Sequence, residues 1–420
     1  MEKQTVIIIG GGAAGLMAAR ELAGHYNILI LEARPQLGGR IRSHQPAGFS
    51  RIIEAGAEFI HGDLPLTYRL LKQAGMSSIP VTGSMYRKEG GAWKEQTEMV
   101  EGWDELLRKM KREKTDMPMY AFLQKHFGDA QHDELRRHAI AFAEGFDVAD
   151  IRKVSMHSLY EEWSKDVQDE NARLENGYGM LIRFLQEELE SKGCRIHTNC
   201  TVKQVDWESN DVTVYANGEK YRAEKAIITV PVSVLRKAGA SASINFTPAL
   251  DPYIAAAGEI GVGAVIKVVL QFRQPFWKED AGFVFSNEII PTWWTQLPDS
   301  SPVLTGWAGG SRAAQICDES DAEILEKALL SLAAIFDKTV DELKANLQES
   351  AVFNWQEEPE ALGAYTYAMP GTPAARKLLN TPVADTLYFA GEGLYEGPSP
   401  GTVEAALMSG KEVAKKVLKS

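Results

Sequence analysis

The chain opens on an apolar, β-branched run, Val6-Ile7-Ile8-Ile9, followed at once by Gly10, Gly12 and Gly15. Apolar positions then recur at helical spacing over 16–22, so this order predicts a strand, a tight glycine turn and a helix. A second apolar run, 28–31, predicts another buried strand and ends at Glu32. From about 66 to 189 the pattern is mainly helical, with periodic stretches at 103–110 and 135–142 and breaks at Pro80 and Pro118. Residues 196–202 then read as a short strand. After them 205–207, 212–215 and 221–223 alternate like a small antiparallel meander, turning at Asn217-Gly218. The largely apolar strand 226–230 is closed by Pro231. In the strand 262–272, Lys267 interrupts an apolar run and shares a face with Val265, Val269 and Gln271, opposite Ile266, Val268 and Leu270. That face is either the wet side of an antiparallel sheet or the wall of a site. No internal repeat or low-complexity segment is present.

The opening motif carries a specific chemistry. Gly10 allows the turn, Gly12 lets the backbone approach a pyrophosphate, and Gly15 lets the helix pack close to the strand. The helix N-terminus offers free N–H groups and a positive dipole end. Glu32, about twenty residues beyond the first glycine, stands where an acid accepts hydrogen bonds from a ribose diol. An adenine dinucleotide is therefore expected. Beyond Glu32 come Ala33, Arg34, Gly38, Gly39, Arg40 and Arg42. Their backbone N–H groups and guanidinium forks suit a second set of anionic oxygens, for which a nicotinamide cofactor has no obvious need.

At this point the sequence resembles the flavin-containing amine oxidoreductases, the family of monoamine, polyamine and L-amino acid oxidases, whose GG-R-x-x-S/T motif wraps FAD. Glu54 to Gly62 resembles the family's D-x-G-x-x-x-x-H-G segment, with Glu54 in place of the usual Asp, which implies that Gly56, Ala57 and Glu58 run beneath the flavin ring. His61 alone reads more readily as structural than as a catalyst. The run Glu144-Gly145-Phe146-Asp147-Val148-Ala149-Asp150 resembles a signature of bacterial amine oxidases that carries no evident mechanism. Asn176 to Leu181 fits the family's entry to the helix leading back to the cofactor domain. The resemblance further implies Val202 on the adenine and Pro231 near the ribityl chain, and it makes Lys267 the active-site lysine, bridged by water to flavin N5 and assisting oxygen reduction.

Trp355 through Pro359 to Gly363 and Tyr365 resembles W-x-x-x-P-x-x-x-G-x-Y, whose tyrosine stands beside the flavin face. Gly391 and Glu392, then Thr402 and Val403 opening the last helix, match the family's closing strand and helix. Glu392 would lie near the ribityl-pyrophosphate, and the helix start would face the flavin N1-C2 edge. Ala364 aligns where monoamine oxidases carry the flavin-linked cysteine, and no cysteine follows Cys317, so FAD is expected to be noncovalent. Thr402 aligns near the second tyrosine of monoamine oxidases, so the two-tyrosine cage is incomplete, and Tyr395 is a candidate to fill the gap. Trp293, Trp294, Trp307 and Phe285 are mostly expected in the core, with one on the substrate side.

Composition narrows the class. The 420 residues exceed one core, 45% are hydrophobic, and the net charge is -12. No basic run suggests nucleic acid, and no apolar run approaches a membrane span, so a cytoplasmic monomer or homodimer is expected. Cys194, Cys200 and Cys317 form no C-x-x-C pair and read as buried thiols rather than as a disulfide or metal set. Gly261 and Gly263 lack a third glycine and precede a strand, which argues against a second nucleotide site. The expected fold is α/β. A discontinuous Rossmann-type FAD domain comprises 1–65, 190–242 and 377–420, and an α+β substrate domain with a mixed sheet and helices comprises 66–189 and 243–376.

The activity implied by the resemblance is hydride transfer from an amine α-carbon to FAD, hydrolysis of the imine, and reoxidation by O2 to hydrogen peroxide. Lys267, Tyr365 and Thr402 are the expected catalytic residues, and no general base or metal is assigned. Glu58, Glu144 and Glu396 are candidate carboxylates for a polyamine. Protoporphyrinogen oxidase or phytoene desaturase chemistry, or a noncatalytic flavoprotein, are the alternatives.

Overall fold

In the computed structural model, described for residues 3–95, 100–165, 171–236 and 243–420, the opening strand lies at the centre of a five-stranded parallel sheet. The order is Arg195–His197, Asn27–Leu31, Thr5–Ile9, Lys225–Ile228 and Leu387–Phe389. Val6 and Ile8 enter a core with the helices Ala13–Leu22, Gly179–Ser191 and Val403–Val417, while Ile7 and Ile9 enter a second core with Val205, Val212 and Val214. Burial on both faces explains why this strand is an unbroken apolar run rather than an alternating one. The helices Ala13–Leu22 and Val403–Val417 meet so closely that a Cβ at Gly410 would lie 2.2 Å from Ala14 O.

The meander appears as Val202–Glu208, Asp211–Ala216 and Glu219–Ala223, with Asn245–Thr247 added at its edge. Asn217 and Gly218 take φ of 50° and 80°, as a tight hairpin turn requires. The expected strand 196–202 is divided. Arg195–His197 joins the parallel sheet, and Val202 begins the meander after Asn199 turns the chain at φ 52°.

A seven-stranded sheet runs Leu347–Asn354, Val265–Phe272, Val303–Gly309, Thr292–Trp294, Ala281–Phe285, Ser84–Glu89 and Ala92–Glu95. Ile266, Val268, Leu270 and Phe272 pack with Ile324 and Leu332 of the helix Asp321–Phe336. The opposite face, with Lys267 and Gln271, is buried as well. It is covered by the segment around 48–58, where Gln271 accepts hydrogen bonds from Ser50 and donates to Gly48 O. The wet-face reading of Lys267 therefore fails.

Between 66 and 189, the helices Trp103–Arg112, Met119–Phe127, Asp133–Gly145 and Met156–Trp163 share one core. The same stretch also holds strands that the helical pattern hides. Ser84–Glu89 and Ala92–Glu95 complete the seven-stranded sheet, while Asn171–Leu174 pairs on one side with Phe59–His61 and on the other with Ser78–Pro80. No described helix is long and apolar enough to cross a membrane.

Candidate active site

A single cavity of about 2350 Å³ runs from the carboxyl ends of the parallel strands to the seven-stranded sheet. Small-molecule sites usually measure about 300–1,000 Å³, so this one has room for a dinucleotide and a second molecule. In open α/β sheets ligands bind at the carboxyl ends of the strands, and here Ile9 and Leu31 line the wall.

At that end the chain forms a cradle for a dinucleotide. Gly10 takes φ +111°, and a Cβ at Gly15 would lie 2.1 Å from Gly10 O, so both glycines are demanded by the turn. A Cβ at Gly12 would meet no protein atom closer than 3.9 Å, because the space beside it is the cavity. No side chain caps the helix that follows, which leaves its first N–H groups for an anion. Glu32 is buried, with Oε2 accepting from Gly11 N at 2.7 Å and Oε1 from Arg34 N at 2.9 Å. Ala14, Ala33, Val202 and Pro231 line the same wall, whereas Gly15 lies beneath it. Cys200, the one cysteine on the wall among the described residues, sits at this end, with its N–H on Glu32 O.

The arginines on either side of Gly39 are fixed by protein partners. Arg34 donates to Gly39 O, Arg40 donates to Ala364 O and lies 3.1 Å from Glu392 Oε2, and Arg42 pairs with both oxygens of Glu358. Glu392 also accepts from Thr366 N and Oγ1. Arg34, Gly39, Arg40, Gly391 and Glu392 all face the cavity, and a Cβ at Gly391 would meet open space.

Midway along the cavity stands a buried ionic cluster. Lys267 Nζ lies 2.7 Å from Glu58 Oε2 and donates to Gly56 O at 3.2 Å. Glu58 Oε1 accepts from Arg173 Nε at 3.0 Å and from Trp294 Nε1 at 2.9 Å. Burial alone would push the Glu58 carboxyl up. Lys267 and Arg173, with the hydrogen bonds from Lys267 and Trp294, outweigh it and bring it down to about 2. Gly56, Ala57 and Glu58 line the cavity, and both Glu58 oxygens are committed to protein groups. Glu54 lies behind them, accepting from Ser43 Oγ and Tyr178 N, and burial pushes it up to about 7.

Tyr365 and Trp307 stand nearly parallel at 6.5 Å, and both line the cavity. The Tyr365 hydroxyl donates to Phe146 O, and burial raises its pKa, as do Asp147, Glu162 and Glu392. Trp355 donates to Ala55 O at 2.9 Å beside them. Thr402 caps the helix Val403–Val417, accepting from Ala405 N at 3.2 Å, so this helix start also faces the cavity.

Other expectations change. Trp293 is core, but Trp294, Trp307 and Phe285 all line the cavity, more than the single aromatic expected. His61 lines the cavity, with Nδ1 on the side chain of Asn171 across the strand pair, and desolvation by surrounding groups lowers its pKa. Tyr395 is buried and does not line the cavity, so it does not complete a cage. Only Cys200 is buried, Cys194 and Cys317 being half-buried; all three are free, and no metal-binding group occurs among the described residues. Gly261 belongs to a short strand paired with Thr366–Ala368. Sequence reading missed Arg173, Asn171 and Glu162, which carry no local signal.

The comparisons agree with this geometry. The model of the flavin-containing amine oxidoreductases matches residues 13–418. The chain is 26% identical to polyamine oxidase 4 of Oryza sativa subsp. japonica, over 99% of this chain and 89% of the relative. It is 25% identical to human lysine-specific histone demethylase 2, over 99% of this chain and 53% of the relative. Among solved structures, a putrescine oxidase bound to putrescine superposes with a TM-score of 0.83 at 20% identity, covering 100% of this chain and 99% of the other. Cyclohexylamine oxidase from Brevibacterium oxydans gives 0.81 at 20%, with 99% of each covered. The mixed α/β architecture is thus shared with these oxidases, and the chain belongs to the flavin-containing amine oxidoreductase family.

Proposed function

We propose that the protein is an amine oxidase that holds FAD without a covalent bond. The observation that carries this reading is one continuous cavity joining the Gly12–Glu32 cradle to Lys267, Tyr365 and Trp307. Glu32 would hold the adenosine ribose, the free N–H groups after Gly12 and the Arg40 fork the pyrophosphate, and the start of the helix Val403–Val417 the electron-rich edge of the flavin. The one cavity-lining cysteine lies at the Glu32 end, away from Tyr365, which supports noncovalent binding.

When bound, FAD supplies the two-electron acceptor that takes a hydride from the carbon beside a neutral amine, leaving an imine for water, and O2 restores it with release of H2O2. Tyr365 and Trp307 form an apolar pair of walls that orient the amine and exclude water. Lys267, pinned by Glu58 and Gly56 O, presents a fixed positive charge where anionic oxygen species would be stabilised. In this reading 1–65, 190–242 and 377–420 form the FAD domain, and 66–189 and 243–376 the substrate domain. Amine-dependent bleaching of the purified flavoprotein without oxygen tests this function. A protein that dithionite bleaches but no amine does would turn the reading toward porphyrinogens or a noncatalytic role.

A further inference from the structure

The ionic cluster midway along the cavity holds one more cation than its carboxylate needs. Glu58 is paired with Lys267 at 2.7 Å through one oxygen and with Arg173 at 3.0 Å through the other. Lys267 and Glu58 line the cavity, whereas Arg173 does not. It reaches Glu58 from the strand Asn171–Leu174, where it stands across from Phe59 with its guanidinium 4.7 Å from the centre of that ring. The two ends of its fork donate to Thr295 O at 3.0 Å and Leu297 O at 3.2 Å. The side chains of Lys267, Glu58 and Arg173 are 1%, 7% and 12% exposed, so water and salt screen their charges little.

Burying an ion pair is costly, and a second buried cation adds to that cost without being required for neutrality. What it changes is the charge balance. Lys267 and Glu58 alone form a neutral pair, a dipole whose field falls off steeply with distance. With Arg173 the cluster sums to one positive charge. The neighbouring groups leave that sum intact. Glu54, behind the cluster, is held protonated below about pH 7 by burial, and Arg51, whose charge also acts on Arg173, is paired with Asp299 at 2.7 Å.

We infer that Arg173, from outside the cavity, supplies the positive balance of this cluster and so raises the reduction potential of the flavin bound beside Lys267. This rests on the reading that the cavity holds FAD. A cofactor that gains electrons is more negative when reduced, and a fixed positive charge at its side favours that state. Arg173 touches neither cofactor nor substrate in this account. It is a positioning residue that acts through Glu58 and Lys267.

The test uses the FAD-bound protein at pH 6, without amine and without oxygen, and reads the ratio of reduced to oxidised flavin against a reference dye. Arg173→Gln takes the cluster to neutrality and should lower that ratio about tenfold at a given dye potential, as loss of a unit charge from a partly buried site does. For a two-electron couple this is a shift of about 30 mV. Glu58→Gln leaves two cations and should move the ratio the opposite way, and the double variant, with Lys267 alone, should return to the wild-type value. Arg173→Lys keeps the charge without the fork and should also stay near the wild type. An unchanged potential in Arg173→Gln, or the same loss in Arg173→Lys and in the double variant, would overturn the inference. If Arg173→Gln does not fold, the direction of the Glu58→Gln shift and the return in the double variant decide it. If no amine reduces the flavin, the amine-oxidase reading fails, and the potential, measured without amine, still decides the role of Arg173.

Discussion

Lys267 Nζ and Glu58 Oε2 lie 2.7 Å apart although 209 positions separate the two residues. The contact joins the strand Val265–Phe272 of the seven-stranded sheet to the segment that follows the cofactor cradle. Arg173 and Trp294 satisfy the other carboxylate oxygen, which makes Glu58 the shared partner of two buried cations.

That sharing predicts an asymmetry in stability. Glu58→Leu strands Lys267 and Arg173 without a counterion and should cost about 3–5 kcal/mol in urea unfolding. Lys267→Met leaves Glu58 paired with Arg173 and should cost clearly less. Equal losses would mean that the pairings do not share Glu58 as described.

Lys267→Met should slow reoxidation of the reduced enzyme by O2 by roughly two orders of magnitude, the size of one positioned electrostatic group. Flavin reduction by amine should change far less. Stopped-flow measurement of the two half-reactions separates these outcomes, and equal effects on both would remove the oxygen role from Lys267.

Glu32→Ala removes the acceptor for Gly11 N and Arg34 N. It also removes the charged acceptor for the ribose, a bond worth about 1.5–3 kcal/mol, so FAD should bind at least about tenfold more weakly. The flavin-to-protein absorbance ratio after dialysis checks this, and an unchanged ratio would place the adenosine elsewhere.

Glu54 should make stability depend on pH in the opposite sense to Glu58. Its folded pKa of about 7 lies above its ordinary value, so its contribution is fully present at low pH and is lost as pH rises through 7. Glu54→Gln should therefore gain on the wild type by about 3 kcal/mol between pH 5 and pH 9 in urea unfolding. A pH-independent difference would show that the carboxyl is not strained there.

The cradle was legible because it is local: the turn glycines, the helix and Glu32 fall within one βαβ stretch, and their spacing encodes the geometry. The pairing of Glu58 with Arg173 and Lys267 was not, because its members come from three distant segments and Arg173 looks ordinary in its own. Arg173 sits in Asn-Ala-Arg-Leu, a strand too short to show alternation. The hairpin Ser84–Glu89 and Ala92–Glu95 escaped for a related reason, since its residues are mostly polar and only the sheet edge recruits them. Lys267 was singled out by its apolar flanks, and the buried face explains why that signal pointed to the site. Tyr395 misled because chain proximity to Thr402 does not put its ring on the cavity wall.

The most direct test of the whole account is to add monoamines, diamines and L-amino acids separately to the purified FAD-bound protein under anaerobic conditions and follow the oxidised flavin band. Bleaching by amines, and recovery of the band on admitting air, is the predicted result. A flavin that dithionite reduces but that none of these compounds bleaches would contradict it.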